Sequence, residues 1–153
     1  MRLSRTIAYA VHATLHLART EPGVPIPCSQ LARSGNMPER FLLQILGSLV
    51  KHGLLRSTRG VEGGYYLSRP AAGIALGDIA DAFDYPLEPI ASALDALKPG
   101  ARELAMATLE SAASAARQEL QKLTVADLLR ADATNGHHKG FQPHKKPQRK
   151  SDV

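Results

Sequence analysis

Apolar residues recur every three or four positions near the start of the chain, and this spacing predicts a helix over residues 4–19. Glu21-Pro22-Gly23 is expected to end it, because proline fixes its own backbone and lacks an amide donor. A shorter helix is predicted over 29–34, followed by a tight turn at 34–36. The expected inward stripe of the first helix is Ile7, Ala10, Val11, Thr14, Leu15 and Ala18.

A third helix, predicted over residues 37–52, has one apolar and one polar face. Asn36 is expected to cap its start, with Pro38 in the first turn and Glu39 completing a capping box. Gly53 suits the left-handed conformation that ends many helices. The expected inward face is Phe41, Leu42, Ile45, Leu46, Leu49 and Val50, and the outward face is Arg40, Leu43, Gln44, Gly47, Ser48 and Lys51.

Two short runs, 54–59 and 65–67, flank the glycine-rich segment 60–64, and this pattern predicts a β-hairpin. Helix, short helix, turn, helix and hairpin follow one another as in a winged helix-turn-helix. The expected fold is therefore mainly α with a small β-hairpin wing, to which a long C-terminal dimerisation helix is added.

The second half of the chain is expected to be helical up to a polar tail. The spacing predicts a short helix over 78–84, a loop over 85–100, a long helix over 101–123 and a last turn over 125–129 capped by Thr124. From Asp132 onwards Gly, His, Lys, Gln and Pro predominate, which predicts disorder. The expected units are a DNA-binding domain over 1–84, a connecting loop and dimerisation helix over 85–130, and a basic tail over 131–153.

Composition narrows the class of protein. The 153 residues are 44% hydrophobic, which permits a packed core, and no apolar run approaches the length of a membrane span. A single cysteine, Cys28, excludes an internal disulfide and any site built from several cysteines of one chain. We expect a soluble cytoplasmic protein with no membrane partner.

Charge is unevenly distributed along the chain. Residues 1–69 contain nine Lys or Arg and three acids, residues 70–130 contain five and nine, and residues 131–153 contain five and two. A basic front half next to an acidic middle indicates a surface for a polyanion beside a segment with another task.

The outward face of the third helix carries groups that suit base edges in double-stranded DNA. Gln44 can contact adenine through two hydrogen bonds, and Arg40 can do so with guanine or hold a phosphate. Leu43 can touch a thymine methyl group, and Glu39 can accept from a cytosine amino group. The expected phosphate contacts, which add affinity without sequence information, come from Arg2, Arg5 and Lys51.

The hairpin provides a second surface for DNA. Arg59 stands at its glycine-rich tip, and a thin tip with an arginine can enter a minor groove, whose negative potential favours guanidinium. Gly60, Gly63 and Gly64 permit close approach. A phosphate loop is disfavoured, because no Gly-Lys-Ser/Thr ending follows.

The long helix carries a short heptad stripe that predicts pairing of two chains. Additional apolar residues outside the stripe give this helix a second apolar face, and a homodimer would place two reading heads on the two halves of a palindrome. The predicted dimer seam is Met106, Leu109, Ala113, Ala116, Leu120 and Leu123.

Residues 1–130 resemble the Rrf2 (Rrf-two) family of bacterial transcription regulators, which includes iron–sulfur regulators of the IscR and NsrR type. The resemblance is carried by Met1-Arg2-Leu3-Ser4 with Tyr9-Ala10-Val11, by Leu42-x-Gln44-Ile45-Leu46-x-x-Leu49, and by Gly53-Leu54-Leu55 with Arg59-Gly60-x-x-Gly63-Gly64-Tyr65-x-Leu67. It implies a homodimeric winged-helix DNA binder, usually a repressor. It also implies that the start of the third helix, from Pro38, reads bases and that Arg59 reaches the minor groove.

One departure from the family pattern bears on cofactors. Cluster-binding members carry three cysteines in the loop before the dimerisation helix, whereas residues 85–100 contain neither cysteine nor histidine. Because iron–sulfur clusters need thiolates, the sequence resembles a cluster-free branch, and we expect no cofactor and no metal. An unidentified small-molecule or protein effector is expected to change the spacing of the two reading heads.

Three further features leave alternatives open. Cys28 is either an inert, partly buried residue or a redox sensor beside the reading head. His12 and His16, four residues apart, either pack or share a metal, although no third ligand is evident. The histidines of the tail either bind metal or phosphate loosely or belong to a solvated basic arm.

Two other functions compete with DNA binding. The first is a winged-helix protein–protein adaptor that does not bind DNA. The second is a small enzyme, which we do not expect because no nucleophile–base pair, carboxylate pair or phosphate loop is evident.

Overall fold

A computed structural model describes residues 5–60, 62–83, 94 and 96–134 of the chain. Within these residues it contains six α-helices, one two-stranded antiparallel sheet and one short 3₁₀ turn. The elements are α1 (Arg5–Ala18), α2 (Cys28–Ser34), α3 (Glu39–Lys51), β1 (Leu55–Thr58), β2 (Gly64–Leu67), the 3₁₀ turn (Ala71–Gly73), α4 (Leu76–Asp81), α5 (Pro99–Gln121) and α6 (Val125–Thr134). The winged helix-turn-helix order expected from the sequence is confirmed.

The core is aliphatic and lies where α1, α2 and α3 meet the base of the hairpin. Leu31, Leu42 and Leu46 are completely buried there, and Ile74 and Ile79 extend the core towards α4. Burial of these side chains stabilises the helical trio by about 1.5–3 kcal/mol per large residue, before conformational entropy is subtracted.

The inward face of α1 differs from the predicted stripe. Tyr9, Ala13 and Leu17 are buried, whereas Val11 and Leu15 are only half-buried. The stripe was placed too far to one side because α1 contacts the core and also β2, α4 and α6, so that its buried arc is wider than one seam. Thr14 is buried as predicted, and its hydroxyl donates to the carbonyl of Ala10 at 2.8 Å.

The start of α3 also differs from the prediction. The helix begins at Glu39, its N-cap is Pro38, and no side chain caps it. Asn36 adopts a left-handed backbone conformation with φ of 48° and therefore makes the turn after α2 instead of capping α3. The predicted capping box is wrong, because the chain turns at Asn36, three residues before the helix starts at Glu39. At the other end, Gly53 with φ of 70° ends the helix as predicted.

The hairpin pairs Leu55 with Leu67 and Thr58 with Gly64, so the tip spans residues 59–63. A further bridge joins Ile26 to Tyr65 through backbone hydrogen bonds of 2.9 Å in each direction. The segment before α2 thereby lies along β2 as a one-residue third strand. The local sequence pattern does not predict this contact, because the two segments are far apart in the sequence.

The last helices are longer or shifted relative to the predictions. α4 begins two residues early, at Leu76, and α5 starts at Pro99, where proline suits the first turn. Thr124 caps α6 as predicted: the amide of Asp127 donates to Thr124 Oγ1 at 3.2 Å, and the Thr124 amide donates to Asp127 Oδ2 at 2.8 Å.

Two sequence predictions meet the limits of the described residues. α6 continues to Thr134, so the first residues assigned to the tail, 131–134, are helical, while 135–153 lie outside the described residues. Most of the predicted loop over 85–100 lies outside them too. Within the described residues, no helix is both long and apolar enough to cross a bilayer.

Candidate nucleic-acid interface

The outer face of α3 is open. Its first turn presents Glu39 and Arg40, and Leu43, Gln44 and Lys51 follow along the same side. Leu43 is 44% exposed, so this face also offers an apolar contact. Pro38, directly before the helix, is exposed as well.

The opposite face of α3 fixes how this surface is turned. Leu42, Ile45 and Leu49 are completely or almost completely buried in the core. The ring of Phe41 meets that of Tyr9 on α1 edge to face, with centroids 5.9 Å apart. Rotation of α3 would expose these side chains, and the residues of its open face are therefore held in place by packing on the other side.

Ser48 is the exception among the residues predicted to face outward. Its hydroxyl donates to the carbonyl of Ala82 at 2.5 Å, and the residue is half-buried. Gly47, by contrast, has open space around its α-carbon, which leaves the middle of the helix face flat. The prediction for Ser48 was wrong because the sequence pattern of α3 contains no information about α4.

The hairpin formed by β1 and β2, the wing, carries Arg59 in an exposed position at its tip. Gly60 follows with φ of 113°, a conformation that side chains disfavour, and the amide of Gly63 donates to the Gly60 carbonyl at 3.0 Å. A Cβ atom on Gly63 would lie 2.6 Å from the carbonyl oxygen of Thr58. Both glycines are therefore required by a turn that is narrow enough to present one arginine.

Gly64 directly follows this tip and pairs with Thr58. It is buried, and an added Cβ atom would lie 2.8 Å from the nitrogen of Pro27. Gly64 therefore permits β2 to contact the strand-like segment at Ile26. It lies at the Arg59 end of the hairpin, as the sequence predicted, but its place there is set by the close approach of the backbone at Ile26 and Pro27.

The predicted phosphate contacts are only partly described. Arg5 is exposed at the start of α1 and Lys51 at the end of α3, while Arg2 lies outside the described residues. Arg33 in α2 and Arg56 on β1 are also exposed, although the sequence analysis did not predict them as phosphate contacts. The strand pattern offers a signal for Arg56, because Leu55 beside it is buried and neighbours on a strand point to opposite faces.

Cys28 lies under the start of α3. It is buried, and its Sγ atom is 3.9 Å from the carbonyl oxygen of Glu39. Burial, together with the carboxylate of Glu39, raises the pKa of the thiol. A thiol with a raised pKa has little thiolate at neutral pH, and this disfavours the redox-sensor alternative.

His12 and His16 are half-buried on α1. Burial lowers the pKa of His12, and the charges of His16 and Arg19 lower it further. Burial lowers the pKa of His16 too, followed by the charge of Arg19. Among the described residues, no group of three His, Cys, Asp or Glu side chains could hold a metal ion, so the pair has no third ligand there.

The predicted dimer stripe on α5 is neither covered nor fully open. No residue of this 23-residue helix is buried. Leu109 is 45% exposed and Leu123 is 37% exposed, and on the opposite side Leu104 is 72% exposed. The remaining members of the stripe, Met106, Ala113, Ala116 and Leu120, are half-buried.

Comparisons with known proteins agree with this architecture. The sequence model of the Rrf2 family, described as iron-dependent transcriptional regulators, matches residues 3–131. A candidate HTH-type transcriptional regulator of Mycobacterium tuberculosis is 39% identical over 90 residues, which cover 59% of this chain and 56% of that protein. The chain therefore spans little more than half the length of that relative. The HTH-type transcriptional regulator CymR of Bacillus subtilis is 28% identical over 92% of this chain and 97% of its own length.

Solved structures give the same result. The structure of CymR, the global cysteine regulator of B. subtilis, superimposes with a TM-score of 0.67 at 27% identity, covering 86% of this chain and 98% of that one. The structure of IscR from T. potens superimposes with a TM-score of 0.68 at 26% identity, covering 92% and 94%. Both similarities extend beyond the winged helix into the helices that follow it.

Proposed function

This chain belongs to the Rrf2 family of transcriptional regulators, which are not enzymes, and from this premise we propose that it is a homodimeric repressor that reads a palindromic DNA operator. In each subunit, α3 enters a major groove and the wing enters the neighbouring minor groove. The DNA-binding domain is the winged helix within residues 1–84. Residues 85–130 supply the dimerisation helix and the loop that connects it to this domain.

One observation carries the proposal. The exposed side of α3, from Pro38 to Lys51, is polar or flat, while its other side is locked into the core. Gln44 and Arg40 offer donors that match adenine and guanine edges, and Leu43 offers an apolar contact for a thymine methyl group. The exposed Arg59 adds a guanidinium at the wing tip. Exposed cations at Arg5 and Lys51 supply phosphate contacts without base preference.

The proposed dimer rests on the lack of burial along α5. This 23-residue helix exposes Leu109 and is followed by the exposed Leu123, and it gains stability when a second apolar surface covers that side. A second copy of the same helix is the simplest such surface, because a two-fold axis makes one stripe cover the other. The axis would also place the two α3 helices on two half-sites.

We propose that this member of an iron-dependent family works without an iron–sulfur cluster. The whole chain has a single cysteine, and this cysteine is buried beneath α3 with a raised pKa. The donor set therefore does not fit a cluster that needs several thiolates. The signal that releases DNA would be a small molecule or a partner protein, and the DNA-bound protein would act in the cytoplasm.

The decisive experiment is a footprint and gel-shift titration on the DNA upstream of the chain's own gene, at several salt concentrations. A repressor of this kind should protect a palindromic site, and the logarithm of its affinity should fall steeply with the logarithm of the salt concentration. Neither protection nor a salt-dependent complex is expected of a protein–protein adaptor, and that outcome would overturn the proposal.

A further inference from the structure

The short helix α4 joins the two parts of the molecule that the proposed function must keep in register. We propose that α4 is a strut that fixes the recognition helix α3 relative to the dimerisation helix α5, and that Asp78 is its positioning residue. The inference rests on the proposed function, because the quantity that α4 would set is the distance between two reading heads.

One end of α4 is fastened to the end of α5. Asp78 Oδ1 accepts a hydrogen bond from Gln121 Nε2 at 3.4 Å, and the amide of Leu76 donates to the carbonyl of Leu123 at 2.8 Å. Gly77 lies directly against the same glutamine, since an added Cβ atom would come 2.7 Å from Gln121 Cδ. The two helices therefore touch through backbone and side chain together.

The other oxygen of Asp78 is fastened to the base of the wing. Asp78 Oδ2 accepts from the Arg69 guanidinium at 2.9 Å and from the amide of Ala75 at 3.0 Å. The Arg69 Nε atom donates to the Gly73 carbonyl at 2.6 Å, which holds the guanidinium flat against this turn. One carboxylate thus meets the segment after the wing, the start of α4 and the end of α5.

The far end of α4 is fastened to α3 itself. Ser48, in the third turn of the recognition helix, donates its hydroxyl proton to the carbonyl of Ala82, the C-cap residue of α4. Ser68, which directly precedes Arg69, donates to the Leu54 carbonyl at 3.0 Å. This bond ties the end of the wing to the chain that leaves α3. A displacement of α5 must therefore be passed to α3 or must break these bonds.

The Asp78 contacts are suited to setting position more than stability. The side chains of Arg69 and Asp78 are 41% and 29% exposed, and ion pairs with this exposure contribute little to the free energy of unfolding. Their directional hydrogen bonds nevertheless hold three segments at fixed distances. The expected effect of losing them is a looser spacing of the two heads in a protein that still folds.

The test compares DNA duplexes whose two half-sites are separated by the natural spacing, by one extra base pair, or reduced to a single half-site. In the intact homodimer, Asp78→Asn keeps an acceptor for Ala75 but removes the charge that Arg69 needs. We expect the preference for the natural spacing to fall about fivefold or more, with single half-site affinity unchanged within about twofold. Glu119→Gln is the matched control, because its exposed ion pair joins it to Lys122, three residues further along the chain at the end of α5.

A second pair of variants separates positioning from damage to the fold. Gly77→Ala should expel Gln121 while favouring helix, and Ser48→Ala removes the fastening to α3. Each variant should reduce the preference for the natural half-site spacing. If Ser48 and Asp78 both act through α4, the double variant Ser48→Ala with Asp78→Asn should lose less of this preference than the sum of the two single losses.

The outcomes are distinguishable from a failure of the proposed function. If the unmodified protein binds no palindrome, the proposed function fails. If it discriminates the spacings and Asp78→Asn discriminates them equally well, the strut is wrong and the function stands. A proportional loss on all three duplexes would show that Asp78 is merely structural and would overturn the inference.

Discussion

Single residues of the wing show two uses of glycine that a sequence alone does not separate. Gly60 provides a positive φ at the tip, whereas Gly64 provides room for a backbone that crosses behind the wing. Both stand in one glycine-rich run, and only the contact with Ile26, nearly forty positions away in sequence, distinguishes them. The sequence could predict that the run turns, and could not predict which glycine packs.

Gly64→Ala should therefore destabilise the fold by about 1–3 kcal/mol, because the new methyl group forces β2 away from the backbone at Ile26 and Pro27. The measurement is the midpoint of urea unfolding. Gly47→Ala is the control, since nothing lies within 4 Å of the added group and alanine favours helix by up to about 1 kcal/mol. Equal midpoints for the two variants would contradict the close approach.

Gln44→Ala should cost about 1–3 kcal/mol of binding free energy against the preferred operator and little against unrelated DNA, because a bidentate base contact is lost. Arg59→Ala should weaken binding as well, through the minor groove. Titrations of both variants against the specific and a scrambled duplex give the two differences. Unchanged affinity in both variants would remove these residues from the interface.

Helices were predictable wherever one apolar face meets one core. The buried residues Leu42, Ile45 and Leu49 of α3 followed the predicted spacing, and the end at Gly53 followed from glycine chemistry. The start of α3 and the stripe of α1 were misplaced, because they depend on a turn at Asn36 and on packing against several later elements. Periodicity reports how a helix is buried on average, and does not report which neighbours bury it.

For α5 the choice between its two sides can be decided by substitution. Leu109→Asp should convert the dimer to monomers, because a carboxylate would be buried without a partner at the proposed seam. Leu104→Asp, on the opposite side and more exposed, should leave the dimer intact. Light scattering at matched concentrations reads both. Monomers from Leu104→Asp, with a persistent dimer from Leu109→Asp, would place the interface on the other side of the helix.

At the scale of the whole molecule, the fold class and the order of units could be read from the sequence, while the connections between units could not. The bond from Ser48 to Ala82 and the bridge from Ile26 to Tyr65 join residues that no local pattern relates. The same limit applies to the proposed site, whose exposed residues on α3 were foreseen and whose support by α4 was not.

The stability of the folded chain should fall as the pH is lowered below about 6.5. The pKa of His12 is lowered in the folded state, chiefly by burial. The unfolded chain therefore binds more protons than the folded chain in this pH range, and acid shifts the equilibrium towards the unfolded state. The contribution is complete above the ordinary histidine pKa and is lost as the pH falls through the lowered one. Urea midpoints between about pH 7.5 and pH 5.5 measure the slope.

His12→Gln should reduce this dependence, and His16, whose pKa is also lowered by burial, should account for the slope that remains. An unchanged slope in His12→Gln would contradict this assignment.

The two backbone bonds on either side of Thr124 have a consequence for how the proposed dimer would assemble. Leu76 and Val125 tie the chain on both sides of that residue to its own α4 segment, so the exit of α5 is already anchored within one subunit. Exchange of this long helix between subunits would require each chain to rebuild those anchors on a neighbour. We expect each subunit to fold completely before it pairs. Dilution should then yield folded monomers, each of which can bind only one half-site of the operator.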